Sequence, residues 1–162
     1  MLVDFDSLTD TSRVWIYQCF REFSNNEILG LKERLDHFIT DWNSHGKDLK
    51  ASYKIIYNRF IVLAVDENYN EASGCSIDAS VNLIKELEKD LSIDLMNKLN
   101  ISFKDNQNIN IVSISDFQNF VKEGKITPST VVFNNMVRTK VEFEKNWEVM
   151  ATNSWHKRFF LN

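Results

Sequence analysis

Ser73-Gly74-Cys75-Ser76-Ile77-Asp78 sets a thiol among small polar residues at the head of an apolar-periodic segment. A helix that starts there presents unpaired backbone N–H groups and a partial positive charge. A cysteine at such a terminus can be held as a thiolate, and so act as a nucleophile or a redox-sensitive thiol. Cys75 is then the candidate catalytic residue, His45 or His156 its base, and Ser73, Gly74, Ser76 and Asp78 the binding corner around it. The same residues also have a plainer structural use. Ser76 serves as N-cap, Asp78 complements the helix dipole and Cys75 fills a small buried space. The sequence favours this second reading.

Three further clusters mix polar and aromatic groups. Trp42-Asn43-Ser44-His45-Gly46-Lys47 reads as a helix end, with Gly46 as the stop and His45 and Lys47 at the negative end of the dipole. Phe133-Asn134-Asn135 ends a strand, where two amides either bind a polar ligand or make a turn. Trp155-His156-Lys157-Arg158-Phe159 either engages an anion or a partner, or lays its aromatics on the core with its cations in water. Arg59, Asn134, Asn135, Trp155 and Arg158 converging on the Ser73–Asp78 helix start would form a basic pocket for a small anionic ligand.

Several chemistries are absent. The Gly-Lys pairs, Gly46-Lys47 and Gly124-Lys125, lack the first glycine and the hydroxyl residue of a phosphate-binding loop, and four glycines form no G-x-G-x-x-G. His37, His45 and His156 have no zinc-ligand spacing, and the two cysteines are far apart in sequence. Arg59-Phe60-Ile61-Val62 lacks the glycine and second aromatic of an RNA-binding sheet. No metal and no cofactor are expected. A net charge of −4, without long runs of one sign, argues against DNA. No segment approaches the roughly 18 apolar residues that span a bilayer. An acidic first segment and only two cysteines point to a cytoplasmic protein with reduced thiols.

The elements that must position these residues are legible in outline. Residues 1–11 are polar and aperiodic and read as a loose arm. Residues 13–19 read as a strand. Ser24-x-x-Glu27 is a capping box, with Phe23 and Ile28 placed as a hydrophobic staple, and it opens a helix to about residue 44. Residues 51–57 alternate like an edge strand, and Asn58-Arg59 reads as the turn. Residues 60–65 are apolar on both faces, like a central strand. A helix follows over about 76–90, with Ile77, Val81, Ile84, Leu87 and Leu91 as its apolar stripe. Residues 101–104 and 109–114 form a hairpin. Ser115-x-x-Gln118 and Thr139-x-x-Glu142 read as further capping boxes, and 131–133 as a strand.

The order β-α-β-β-α-β through residue 114 predicts an α+β fold of ferredoxin-like sandwich type, a single domain over 1–162 with a C-terminal α/β extension packed on it. Because both faces of 60–65 need cover, either residues 115–162 or a homodimer partner is expected to supply it.

Trp42-x-x-His45-Gly46-Lys47, Tyr57-Asn58-Arg59-Phe60, Ala72-Ser73-Gly74-Cys75-Ser76-Ile77-Asp78, Val132-Phe133-Asn134-Asn135 and Ser154-Trp155-His156-x-Arg158-Phe159 together resemble a small bacterial family of about this length, often labelled "ABC transporter ATPase". The resemblance runs over nearly the whole chain, with Cys19 and Met150 less typical of it. The label implies ATP hydrolysis, for which the sequence has no motif, and no established activity accompanies it. The expectation is a non-enzymatic module that binds a protein or a small ligand, with a Cys75-dependent enzyme or redox-sensitive protein as the alternative.

Overall fold

The computed structural model describes residues 1–161, which divide into two compact units, 1–96 with 138–141, and 97–137 with 142–161. The fold class is mixed α and β with antiparallel sheets.

In the first unit β1 (Arg13–Gln18), β4 (Ala51–Ile56) and β5 (Phe60–Val65) form a three-stranded sheet of order β1-β5-β4. β5 runs antiparallel to both neighbours, with Trp15 opposite Leu63 and Tyr53 opposite the same residue. α1 (Asn25–Asp41) and α2 (Gly74–Leu91) cover the face that carries Tyr17, Ile61, Leu63 and Val65, through Leu31, Leu35, Ile39, Ile84 and Leu87. This is the expected split β-α-β with its second helix. The strand expected to complete a four-stranded ferredoxin-like sheet does not join it: 100–105 belongs to the other sheet. Beside β1 lies a short stretch from further along the chain, with Val14 N–H donating to Arg138 C=O at 2.9 Å and Arg13 bridging Thr139.

The start of α1 follows the sequence closely. Ser24 Oγ accepts from Glu27 N–H and the Glu27 carboxylate accepts from Ser24 N–H, so both halves of the capping box are made. Arg21 clamps the same carboxylate with two bonds, at 2.7 and 2.9 Å. That clamp, with the Ser24 N–H, holds the Glu27 carboxyl down at about 2. The helix ends earlier than expected, at Asp41 with Trp42 as C-cap, because Asn43–Ser44 (β2) and Lys47–Asp48 (β3) pair as a miniature hairpin.

Residues 1–11 are not a loose arm. Val3 N–H donates to Ala51 C=O, a 3-10 turn spans Phe5–Ser7, and Phe5 and Leu8 are buried. Two of its apolar side chains, Phe5 and Leu8, anchor the segment in the core, while Leu2 is exposed. The β4–β5 turn is centred on Tyr57 and Asn58, both at positive φ, one residue before the expected Asn58-Arg59. All six residues of β5 are fully buried within the single chain, so the cover its second face needed does not call for a partner subunit. Both cysteines are free.

In the second unit β6 (Asn100–Asp105), β7 (Asn108–Ser113), β8 (Val131–Phe133) and β9 (Glu148–Met150) form an antiparallel sheet of order β7-β6-β8-β9. The expected hairpin is present, its first strand one residue longer at each end and its second shifted back by one residue. α3 (Ile114–Lys122) is capped by Ser113, whose hydroxyl accepts from Asp116 N–H, two residues before the expected Ser115. Phe103, Phe117 and Val132 pack with residues of the closing 3-10 turns, Trp155–Phe160. α4 (Lys140–Asn146) precedes β9. No helix among the described residues is long and apolar enough to cross a membrane.

Candidate functional site

α1 and α2 lie antiparallel, as the ion pairs of Arg34 and the Trp42–Ser76 hydrogen bond together show. Arg34, midway along α1, meets Glu86 at 3.2 Å and Asp90 at 2.6 Å near the far end of α2. The C-terminal end of α1 therefore stands beside the first turns of α2. Trp42 locks this junction: its indole N–H donates to Ser76 C=O at 2.8 Å in a buried position. Small residues make room for the large ring. Ser76 and Ser80, one turn apart, are the buried face of α2 here, and their hydroxyls bond back to Ser73 C=O and Ile77 C=O. Such local bonds let a hydroxyl be buried without a loss of partners. The apolar stripe of α2 is rotated accordingly: Leu83, Ile84 and Leu87 are buried, whereas Ile77, Val81 and Leu91 are half-buried.

Between the two helices runs a groove of about 690 Å³, lined by 34–45 on one side and 73–86 on the other. Phe38, Trp42 and Leu83 give it an apolar wall, with the Phe38 and Trp42 rings 5.1 Å apart. Asn43, Ser73 and Asn82 contribute neutral polar groups, and Asp41 and Glu86 contribute carboxylates. His37 Nδ1 lies 4.0 Å from Asp41. The cation of the lining, Arg34, is already spent on two carboxylates.

His45 reaches the groove from a tight hairpin turn. The two-residue β2–β3 turn is His45-Gly46, at φ of 52° and 76°, the left-handed pair that a type I′ hairpin needs. Histidine, with asparagine and aspartate, is one of the side chains that tolerate that region. Gly46 is thus a hairpin residue, not the helix stop expected of it, and Asn43 Oδ1 accepts from its N–H at 3.3 Å.

The structure also corrects the reading of the helix start. The N-cap is Ser73, whose hydroxyl accepts from Ser76 N–H, so Ser76 is inside the first turn and Asp78 lies beyond it. The first turn of α2 carries no acidic residue of its own. Cys75 is exposed and lines the groove, in place of the buried filler expected; the buried cysteine is Cys19. Periodicity misplaced the helix because Gly74-Cys75 looks like a loop when glycine is read as a stop.

Of the expected site residues, the groove gathers His45, Ser73, Cys75 and Ser76, with Gly74 and Asp78 beside them on α2. Among the described residues no hydrogen bond joins Cys75 to a histidine. Arg59 is not in the lining; it sits in the β4–β5 turn and donates to Phe20 C=O at 3.0 Å. Asn134, Asn135, Trp155, His156 and Arg158 belong to the second unit. Asn134 and Asn135 make a turn: Asn134 Oδ1 accepts from Met136 N–H and Asn135 Oδ1 accepts from the Trp147 indole. Arg158 lies over the Trp155 ring at 4.9 Å with its charge exposed. His156 is buried, its Nδ1 bonded to Ser154 Oγ and its ring stacked on Trp155, while Nε2 has no hydrogen-bond partner among the described residues. Burial, reinforced by the charge of Arg158, pulls its imidazole down to about 4. His37, Phe38, Asp41, Asn82 and Glu86 are groove residues that the sequence did not single out. Apart from Phe38, which belongs to the apolar wall, their signal was present as a second, polar face on the two helices.

No family model, curated protein or solved structure matches the chain.

Proposed function

We propose that this chain is a non-enzymatic binding module that takes a small polar ligand with a flat apolar part into the groove between α1 and α2. The observation that carries this reading is the convergence of two distant segments, 34–45 and 73–86, on a cleft of about 690 Å³. That volume falls in the range of small-molecule sites, and so does the pairing of an apolar wall with a few polar groups. His45, at the tip of the β2–β3 turn, adds an imidazole to the lining. With Arg34 and Glu86 paired to each other and Asp41 left as the lining's carboxylate outside that ion pair, the reading favours an uncharged or cationic ligand over the anion suggested by Arg59 and Arg158. Two free thiols agree with a cytoplasmic setting. Nothing in this reading draws on the ATPase label of the resembled family.

Thermal-shift screening against a panel of small neutral and cationic aromatic compounds tests it. Ligands that raise the melting temperature of the wild type should lose at least tenfold in affinity against Ala79→Trp, which fills the cleft from α2. Hits that stabilise both proteins equally, or no hits at all, would count against the groove.

A second reading, a thiol-dependent protein, rests on Cys75 sharing the groove with His37 and His45. A nucleophile of this kind needs a base in hydrogen-bond reach, and His156 has its Nδ1 committed to Ser154. The pH profile of Cys75 alkylation decides it: a rate that plateaus below pH 7 would mark an activated thiolate, and a rise toward the ordinary thiol value near 8.5 would remove this reading.

A further inference from the structure

β7, Asn108-Ile109-Asn110-Ile111-Val112-Ser113, is an edge strand of the second unit and carries no charge, proline or glycine. Its pairing with β6 runs without a bulge from Asp105↔Asn108 to Asn100↔Ser113. In a hairpin closed by a two-residue turn the pair beside the turn is hydrogen-bonded and the pairs alternate from there. Asn108, Asn110 and Val112 therefore bond inward to β6, and the N–H and C=O groups of Ile109 and Ile111 point outward. These outward groups make no hydrogen bond to any described residue outside the sheet. Both isoleucine side chains are half-exposed.

The other edges are treated differently. The outer edge of β4 receives the chain start, with Val3 N–H on Ala51 C=O, and that of β1 receives Arg138–Lys140. β9, at the far edge of the second sheet, has three residues and includes Glu148, paired with Lys104 at 2.6 Å. Short length, charge and covering segments are the usual protections of a sheet edge, and β7 has none of them.

We propose that β7 pairs with the β7 of a second copy of this chain, antiparallel, about a two-fold axis at Asn110. In that register Ile109 exchanges backbone bonds with Ile111 of the second copy, and the reverse, so every outward group of the two residues is satisfied. A second copy is the occupant because the strand is its own complement in this register, with Ile109 against Ile111, Asn110 against itself and no charge to repel its like. A strand that meets itself sets like residues near like, which a charged strand resists and this one does not. Asn110 faces its own copy across the axis, where an amide donor meets an amide acceptor. The arrangement is closed, as a two-fold dimer must be. A six-residue edge buries well under the roughly 1,600 Å² of a standard interface, so the dimer belongs with the weak, transient class.

Sedimentation equilibrium of the full chain from about 5 μM to 1 mM tests this, alongside Asn110→Asp and Ile111→Pro. Asn110→Asp is nearly isosteric but sets two carboxylates against each other at the axis. Ile111→Pro removes an outward N–H and leaves the β6 ladder intact. The wild type should move toward the dimer mass with concentration, and each variant should raise the dissociation constant at least tenfold with an unchanged circular dichroism spectrum. A wild type that stays monomeric to 1 mM, or a dimer undiminished in Asn110→Asp, would overturn the proposal.

Discussion

Single residues separate into those the fold has hidden and those it has left facing water, and the two cysteines show the contrast most simply. Burial raises the Cys19 thiol, against the opposing pull of the Arg21 N–H and of two arginine charges, while Cys75 stands in the open groove. In the native protein iodoacetamide should modify Cys75 within minutes and leave Cys19 untouched until denaturant is added; mass spectrometry of the digested protein reads both. His156 gives a second prediction at this scale. Its folded value of about 4 lies below the ordinary 6.5, so between these values the unfolded chain binds more protons. The contribution of the neutral imidazole is complete above pH 6.5 and is lost as pH falls toward 4. That loss is on the order of 3 kcal/mol. Urea unfolding at pH 7 and pH 4.5 should show a smaller fall in stability for His156→Gln than for the wild type, whatever the variant's stability at pH 7.

Elements were legible where one local rule decided them and obscure where two competed. Ser24-x-x-Glu27 forms its capping box because both partners lie within one turn, and nothing distant interferes. Ser24→Ala should cost about 1 kcal/mol, seen as a lower urea midpoint with the slope unchanged. The end of the same helix was misread because His45-Gly46 satisfies a helix stop and a type I′ hairpin equally well, and only β3 pairing with β2 chooses between them. His45→Asn converts that turn to the preferred Asn-Gly pair. It should raise stability by a few tenths of a kcal/mol or more, while weakening any groove ligand that uses the imidazole. On α2 the spacing of Ile77 and Val81 suggested the buried stripe, but Ser76 and Ser80 are buried instead because the Trp42 indole occupies the space beside them. A serine whose hydroxyl bonds its own helix is invisible to a hydrophobic-periodicity rule.

On the scale of the whole molecule, the sequence disclosed the fold class and the β1-β5-β4 core but not the separation into two units. Strand 100–105 carries the same alternation whichever sheet it joins, and its choice of β7 and β8 as neighbours depends on contacts remote in sequence. The groove was half-visible for a related reason: Cys75, His45 and Ser73 were singled out by residue type, whereas Phe38, Asp41 and Glu86 acquire meaning only once α1 and α2 lie antiparallel. The central claim is that this groove selects small molecules, and Cys75 offers a direct way to read it. A library of disulfide-bearing fragments, equilibrated with the protein under mild reduction and resolved by intact mass, would measure groove affinity through the thiol itself. A minority of neutral or cationic aromatic fragments should label Cys75 far above the library average, and Ala79→Trp should abolish that preference while iodoacetamide still reacts at the wild-type rate. Uniform labelling by all fragments, or a preference that survives Ala79→Trp, would contradict the account.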